Sequence, residues 1–185
     1  MISRKEFLRT SFKAVFGQVA EIIDTHIPAE MKEVQSNLFP PGAVANFSEV
    51  CTSCGACVSA CPADAIQVQV NQTNGKELPV IVPSRRACVM CDDRSCIEVC
   101  EDEALLFPEN QIFPRIGLAV IREDICLAYT GSQCMTCFDA CPLKLQAIQL
   151  EHGKPVIIEE SCTGCGICEQ ECVLTTTKGV EIVPV

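Results

Sequence analysis

The chain has 185 residues, enough for one or two small domains, and a formal charge of −10 from 24 acidic and 14 basic residues. That balance speaks against nucleic acid and anionic membrane surfaces as partners, and no uninterrupted apolar run is long enough to span a bilayer. With no tryptophan and only 5% aromatic residues, an ordinary core built on large rings is not expected.

Residues Met1 to about His26 have the pattern of one amphipathic helix. At 100° per residue, Leu8, Phe12, Val15, Phe16, Val19, Ile22 and Ile23 fall within an arc about 120° wide, and Arg9, Lys13, Glu21 and Asp24 lie off it. The start, Ser3-Arg4-Lys5-Glu6-Phe7-Leu8-Arg9, is similar to a twin-arginine export signal with lysine in place of the second arginine. Lys13, Gln18, Glu21 and Asp24 interrupt what should be an apolar region, and no small-residue cleavage site stands out. The expectation is therefore a retained docking helix and a cytoplasmic protein, with periplasmic twin-arginine export as the alternative. Pro28, Pro40, Pro41 and Gly42 read as a linker, so residues 1–42 are taken as docking helix and linker.

The first cysteine group follows: Cys51, Cys54, Cys57 and Cys61, then Pro62. Ile66–Val70, Asn74-Gly75 and Pro79–Val82 read as a β-hairpin. The second group is Cys88, Cys91, Cys96 and Cys100. Ala119–Ile121 is a short strand, and the third group is Cys126, Cys134, Cys137 and Cys141, then Pro142. Pro155–Ile158 is another strand; Cys162, Cys165, Cys168 and Cys172 form the last group, and Gly179–Val183 is a closing strand. Cys51-Thr-Ser-Cys-Gly-Ala-Cys57 and Cys162-Thr-Gly-Cys-Gly-Ile-Cys168 match at most positions, an internal repeat that suggests duplicated halves.

All sixteen cysteines belong to these groups. In a secreted chain so many would suggest a disulfide scaffold, but four groups at ligand spacing, with no cleavable signal evident, point to metal. The first group reads C-x2-C-x2-C-x3-C-P, the spacing by which thiolates hold a [4Fe–4S] cluster, the fourth cysteine reaching a neighbouring cluster. Structural zinc takes two ligand pairs separated by a dozen or more residues. The first and last groups are too dense for that, although the second, read alone, also suits a zinc knuckle. His26 and His152 stand outside every group and read as solvated or structural. Four oxidised clusters would bring the charge to about −18 and supply much of the core, so the cluster-free chain is expected to be largely unfolded.

Gly55, Gly164 and Gly166 suit loops whose backbone must approach the cluster with N–H groups turned inward. Val58, Ile66, Ile97, Ile148 and Ile167 are candidate apolar neighbours of the clusters, or ordinary core. The turn Cys100-Glu-Asp-Glu103 replaces the Cys-Pro of groups one and three. Three carboxylates there would disfavour an added electron nearby; a solvated acidic turn is the plainer reading.

With the x4 gap in group two and Cys126-Leu-Ala-Tyr-Thr-Gly-Ser-Gln-Cys134 in group three, the chain resembles the four-cluster ferredoxin-type proteins of periplasmic nitrate reductase and methylamine utilisation systems. Electron-transfer subunits of molybdenum and tungsten oxidoreductases are similar. The resemblance covers roughly Glu49 to Val183 and implies an α+β fold of duplicated ferredoxin-like domains, with short strands and cluster-binding loops. It implies that group one exchanges its fourth cysteine with group four, and group two with group three. The implied ligand sets are Cys51, Cys54, Cys57 with Cys172; Cys162, Cys165, Cys168 with Cys61; Cys88, Cys91, Cys96 with Cys141; and Cys126, Cys134, Cys137 with Cys100. Residues 43–76 together with 155–185 would then form one dicluster domain and residues 77–154 the other.

The function implied is a polyferredoxin passing single electrons through four [4Fe–4S] clusters to or from a catalytic oxidoreductase subunit of the molybdenum or tungsten kind, and a second carrier. Self-association through the N-terminal helix is a further expected contact. Catalysis by this chain alone is disfavoured, because an open iron site needs a missing thiolate and four cysteines serve each cluster. A maturation or chaperone role on a reductase and a free soluble ferredoxin are the alternatives. The apolar stripe of the N-terminal helix weighs against the second.

Overall fold

A computed structural model describes residues 38–71, 75–108 and 113–185. The expected N-terminal helix lies outside the described residues. Among these the elements are short because the chain between cysteine loops is short. They are α1 (Phe47–Val50), α2 (Ala56–Ala60), β1 (Ile66–Val70), β2 (Glu77–Ile81), α3 (Ser95–Glu98), β3 (Leu118–Ile121), α4 (Thr136–Ala140), β4 (Ile148–Glu151), β5 (Lys154–Ile157), α5 (Ile167–Gln170) and β6 (Val180–Val183).

The strands form three two-stranded antiparallel sheets: β1 with β2, β4 with β5, and β3 with β6. The first hairpin is the expected one, with Ile66 opposite Ile81 and Val70 opposite Glu77. Its inner residues, Ile66, Leu78, Val80 and Ile81, are buried, while Val68 and Val70 face water. The second hairpin pairs Ile148 with Ile157 and Glu151 with Lys154. Its turn is His152-Gly153, both at positive φ (52° and 80°), as a two-residue turn matched to strand twist requires. The third sheet joins distant segments, Leu118 opposite Val183. It is fastened to α5 by the buried Glu169, whose carboxylate accepts a hydrogen bond from the Ile182 N–H at 2.7 Å.

These elements assemble as two halves in sequence. In the first, α2 packs on α3 beside the β1–β2 hairpin; in the second, α4 packs on α5 beside β4–β5 and β6. Each half therefore runs cysteine loop, short helix, hairpin, cysteine loop, short helix. This corrects the expected nesting of residues 43–76 with 155–185 around 77–154. A hairpin reverses the chain immediately after the first loop of each half and returns it to that loop, and the shorter closure costs less entropy.

The proline-rich stretch expected as part of a linker is instead packed into the first half. Leu38 bridges Ile81, Ala43 bridges Leu105, and Leu38, Pro40 and Pro41 are buried. Phe39 stacks at a tilt on Phe47, ring centroids 4.6 Å apart.

Candidate metal centre

Four small hollows lie within the described residues, and each is lined by four cysteines. Set A comprises Cys51, Cys54, Cys57 and Cys100. Set B has Cys88, Cys91, Cys96 and Cys61. Set C has Cys162, Cys165, Cys168 and Cys141, and set D has Cys126, Cys134, Cys137 and Cys172. All sixteen cysteines are used, three from one loop and the fourth from the other loop of the same half.

The implied exchange between loops is thus present, but its partners differ from those expected. Cys100, not Cys172, faces the first loop, and Cys61, not Cys141, faces the second. Cys172, not Cys100, completes the set of Cys126, Cys134 and Cys137, and Cys141, not Cys61, joins the last loop. The reason is the sequential assembly of the halves: α2 delivers Cys61 across to α3, and α3 delivers Cys100 back. Helices α4 and α5 exchange Cys141 and Cys172 in the same way.

The loops curve around the hollows by left-handed backbone. Ser53, Met90 and Gly164, each just before the second cysteine of its loop, have φ of 63°, 52° and 68°. Gly55, Arg94 and Gly166 precede α2, α3 and α5 with φ of 77°, 48° and 87°. Glycine is the natural residue there, yet two of the glycines meet a second demand. A side chain on Gly164 would fall on the backbone of Gly117, and one on Gly166 would fall on Pro83. They admit close contact between chain segments as well as turning the loop.

Backbone N–H groups reach several sulfurs. Ser53 N–H points to Cys51 Sγ at 3.4 Å, Ala65 N–H to Cys61 Sγ at 3.3 Å, and Gly179 N–H to Cys172 Sγ at 3.3 Å. Of the expected apolar neighbours, Ile66 and Ile97 line set B and Ile148 lines set C, whereas Val58 and Ile167 pack half-buried against the core. Asp102 of the acidic turn lies at set A and accepts a hydrogen bond from the Thr52 hydroxyl. Lys178 donates to the Cys172 carbonyl at 2.9 Å, beside set D.

Nine cysteines are buried, and Cys54 alone is exposed. Burial, reinforced by Cys51, Cys54 and Cys100 around the same hollow, pushes the Cys57 thiol up to about 11. Burial likewise raises Cys88 and Cys96 to about 12 and Cys137 to about 11, and it raises Cys168 as well. Buried thiols such as these resist ionising unless a cation shares their site, which is the chemistry of a cluster ligand set.

Two apolar-lined four-cysteine hollows in each of two tandem halves define a ferredoxin-type iron–sulfur protein. Two family models agree, each described as a 4Fe–4S dicluster domain, one matching residues 50–104 and the other 118–173. The methylamine utilization ferredoxin-type protein MauM of Methylorubrum extorquens is 32% identical, over 93% of this chain and 85% of its own. The ferredoxin-type protein NapG of Escherichia coli K12 is also 32% identical, over 92% and 81%. NapG of Haemophilus influenzae is 35% identical over 80% of this chain and 58% of its own. The chain belongs to the family of ferredoxin-type proteins that includes MauM and NapG, and it is an electron-transfer protein rather than a catalyst.

Proposed function

We propose that this protein carries single electrons through four [4Fe–4S] clusters, one on each of sets A to D, between a catalytic oxidoreductase subunit and a second redox carrier. The observation that supports this most directly is four separate hollows, each lined by four cysteines, with no cysteine left over. A cluster bound there supplies one-electron chemistry between its oxidised and reduced states.

The chain's own part is to hold, insulate and tune. The thiolates fix the clusters to both loops of a half, the apolar linings keep water out, and the N–H···S contacts stabilise negative charge on sulfur. The donor set fits this group better than a single ion: among the described residues no three His, Cys, Asp or Glu side chains converge to hold one metal. The resemblance favours a molybdenum or tungsten enzyme as the catalytic partner, and subunits co-purifying from the native host would test that choice.

Anaerobically purified protein is expected to contain about sixteen irons and sixteen sulfides per chain, four of each per cluster. Eight irons, or stoichiometric zinc, would overturn the four-cluster reading.

A further inference from the structure

Among the described residues the hydrogen bonds that join the halves cluster where the Cys88 loop meets the Cys165 loop, and Leu38 of the first half also lies against Gly117 of the second. The Cys88 N–H donates to the Cys165 carbonyl at 2.9 Å, joining a set B loop directly to a set C loop. Around this bond the Thr163 hydroxyl meets Met90 Sδ at 3.2 Å, and the Ala87 N–H donates to Gln170 Oε1 at 2.7 Å. Gly166 lets its loop close on Pro83. The outer loops make their contacts elsewhere: Thr52 and Ser53, beside set A, bond to Asp102 and to the Glu77 carbonyl of the first half. Near set D, the Tyr129 hydroxyl donates to the Pro155 carbonyl of the second half at 3.1 Å. Within each half the packed helices, α2 on α3 and α4 on α5, bring A beside B and C beside D.

We propose that the four thiolate sets stand in single file in the order A, B, C, D, with the Cys88–Cys165 hydrogen bond as the crossing between the halves. The order along the wire then differs from the order along the chain, because the loop of Cys162–Cys168 precedes that of Cys126–Cys137. Sets A and D are the two termini, where partners exchange electrons, and B and C are internal relays. Each transfer moves one electron: the donor cluster is oxidised by one, the next is reduced by one, and no bond is made or broken. A break in the junction would leave each half able to be reduced but unable to pass an electron to the other.

This rests on the four-cluster reading above, and iron analysis separates the two: fewer than sixteen irons fails that reading, whereas sixteen irons with the wrong neighbours fails the order alone. The test is EPR of the dithionite-reduced full-length holoprotein, in which neighbouring reduced clusters broaden and split each other's signals. In Cys96→Ala, which disables set B, the set A spectrum is expected to lose its splitting while C and D stay coupled. In Cys168→Ala, which disables set C, A and B stay coupled and D becomes isolated. Pulsed dipolar EPR on the unmodified holoprotein needs no variant to fold: single file gives three nearest-neighbour couplings. A set A spectrum that stays split without set B, that becomes isolated when set C is lost, or a fourth nearest-neighbour coupling would overturn the order.

Discussion

At the residue scale, the sixteen candidate ligands were legible from spacing alone, because cysteines two and three residues apart have few other uses. The turns that aim them were legible only in part. Gly55, Gly164 and Gly166 advertise left-handed backbone, whereas Ser53, Met90 and Arg94 adopt it without any sign in their identity. The acidic turn after Cys100 was visible, but its neighbour was not: Asp102 faces set A, not a set built on Cys126. Its charge therefore bears on the cluster of the Cys51 loop. Asp102→Asn removes that charge and keeps an oxygen for the Thr52 hydroxyl, so one cluster of four is expected to become easier to reduce. The shift should be on the order of tens of millivolts at low salt and shrink as salt is added. A potentiometric EPR titration checks it; a uniform shift of all four clusters, or none, would count against this placement.

At the element scale, the β1–β2 hairpin followed from alternating apolar residues around Asn74-Gly75. The strand part of β4–β5 was half seen, at Pro155–Ile158, but the hairpin was missed because His152 occupies a turn position usually held by asparagine, aspartate or glycine. Sheet β3–β6 pairs residues some sixty positions apart, and no local pattern announces such a partner. The His152 turn makes its own prediction. Asparagine tolerates left-handed backbone better than histidine, and a β-branched residue tolerates it worst. His152→Asn is expected to stabilise the holoprotein by a few tenths of a kcal/mol and His152→Val to destabilise it by about 1 kcal/mol or more. Both are exposed changes outside every cysteine set, so iron content should stay constant while the thermal midpoint moves in opposite directions.

At the scale of the whole molecule, the loop pairing that the family resemblance implies is not the one the four hollows show. The likeness of the first and last loops agrees with the implied pairing and lends it weak support. Their likeness reflects the shared task of wrapping a hollow, not membership of one half. The better marker was Cys-Pro at Cys61-Pro62 and Cys141-Pro142, which ends the opening loop of each half just before its hairpin. Read that way, the chain is a tandem repeat, and the two dicluster matches at 50–104 and 118–173 fall on its halves.

The same architecture determines what happens when the metal is removed. Nine of the 27 buried apolar residues among those described are cysteines, and Phe47 is the one aromatic side chain in that core. The helices have four or five residues and each sheet has two strands, all below the size at which such elements persist alone in water. On the proposed reading, what holds them is the bridge that each cluster would make from one loop to the other loop of its half, and the folding free energy would be largely that of metal binding. Stripping iron anaerobically with a chelator, with thiols kept reduced, is expected to abolish far-UV circular dichroism structure in step with iron loss. Restoring it should require iron and sulfide together. Iron-free protein that kept its native dichroism and melted cooperatively would show that the polypeptide core suffices, and would refute this account of the fold.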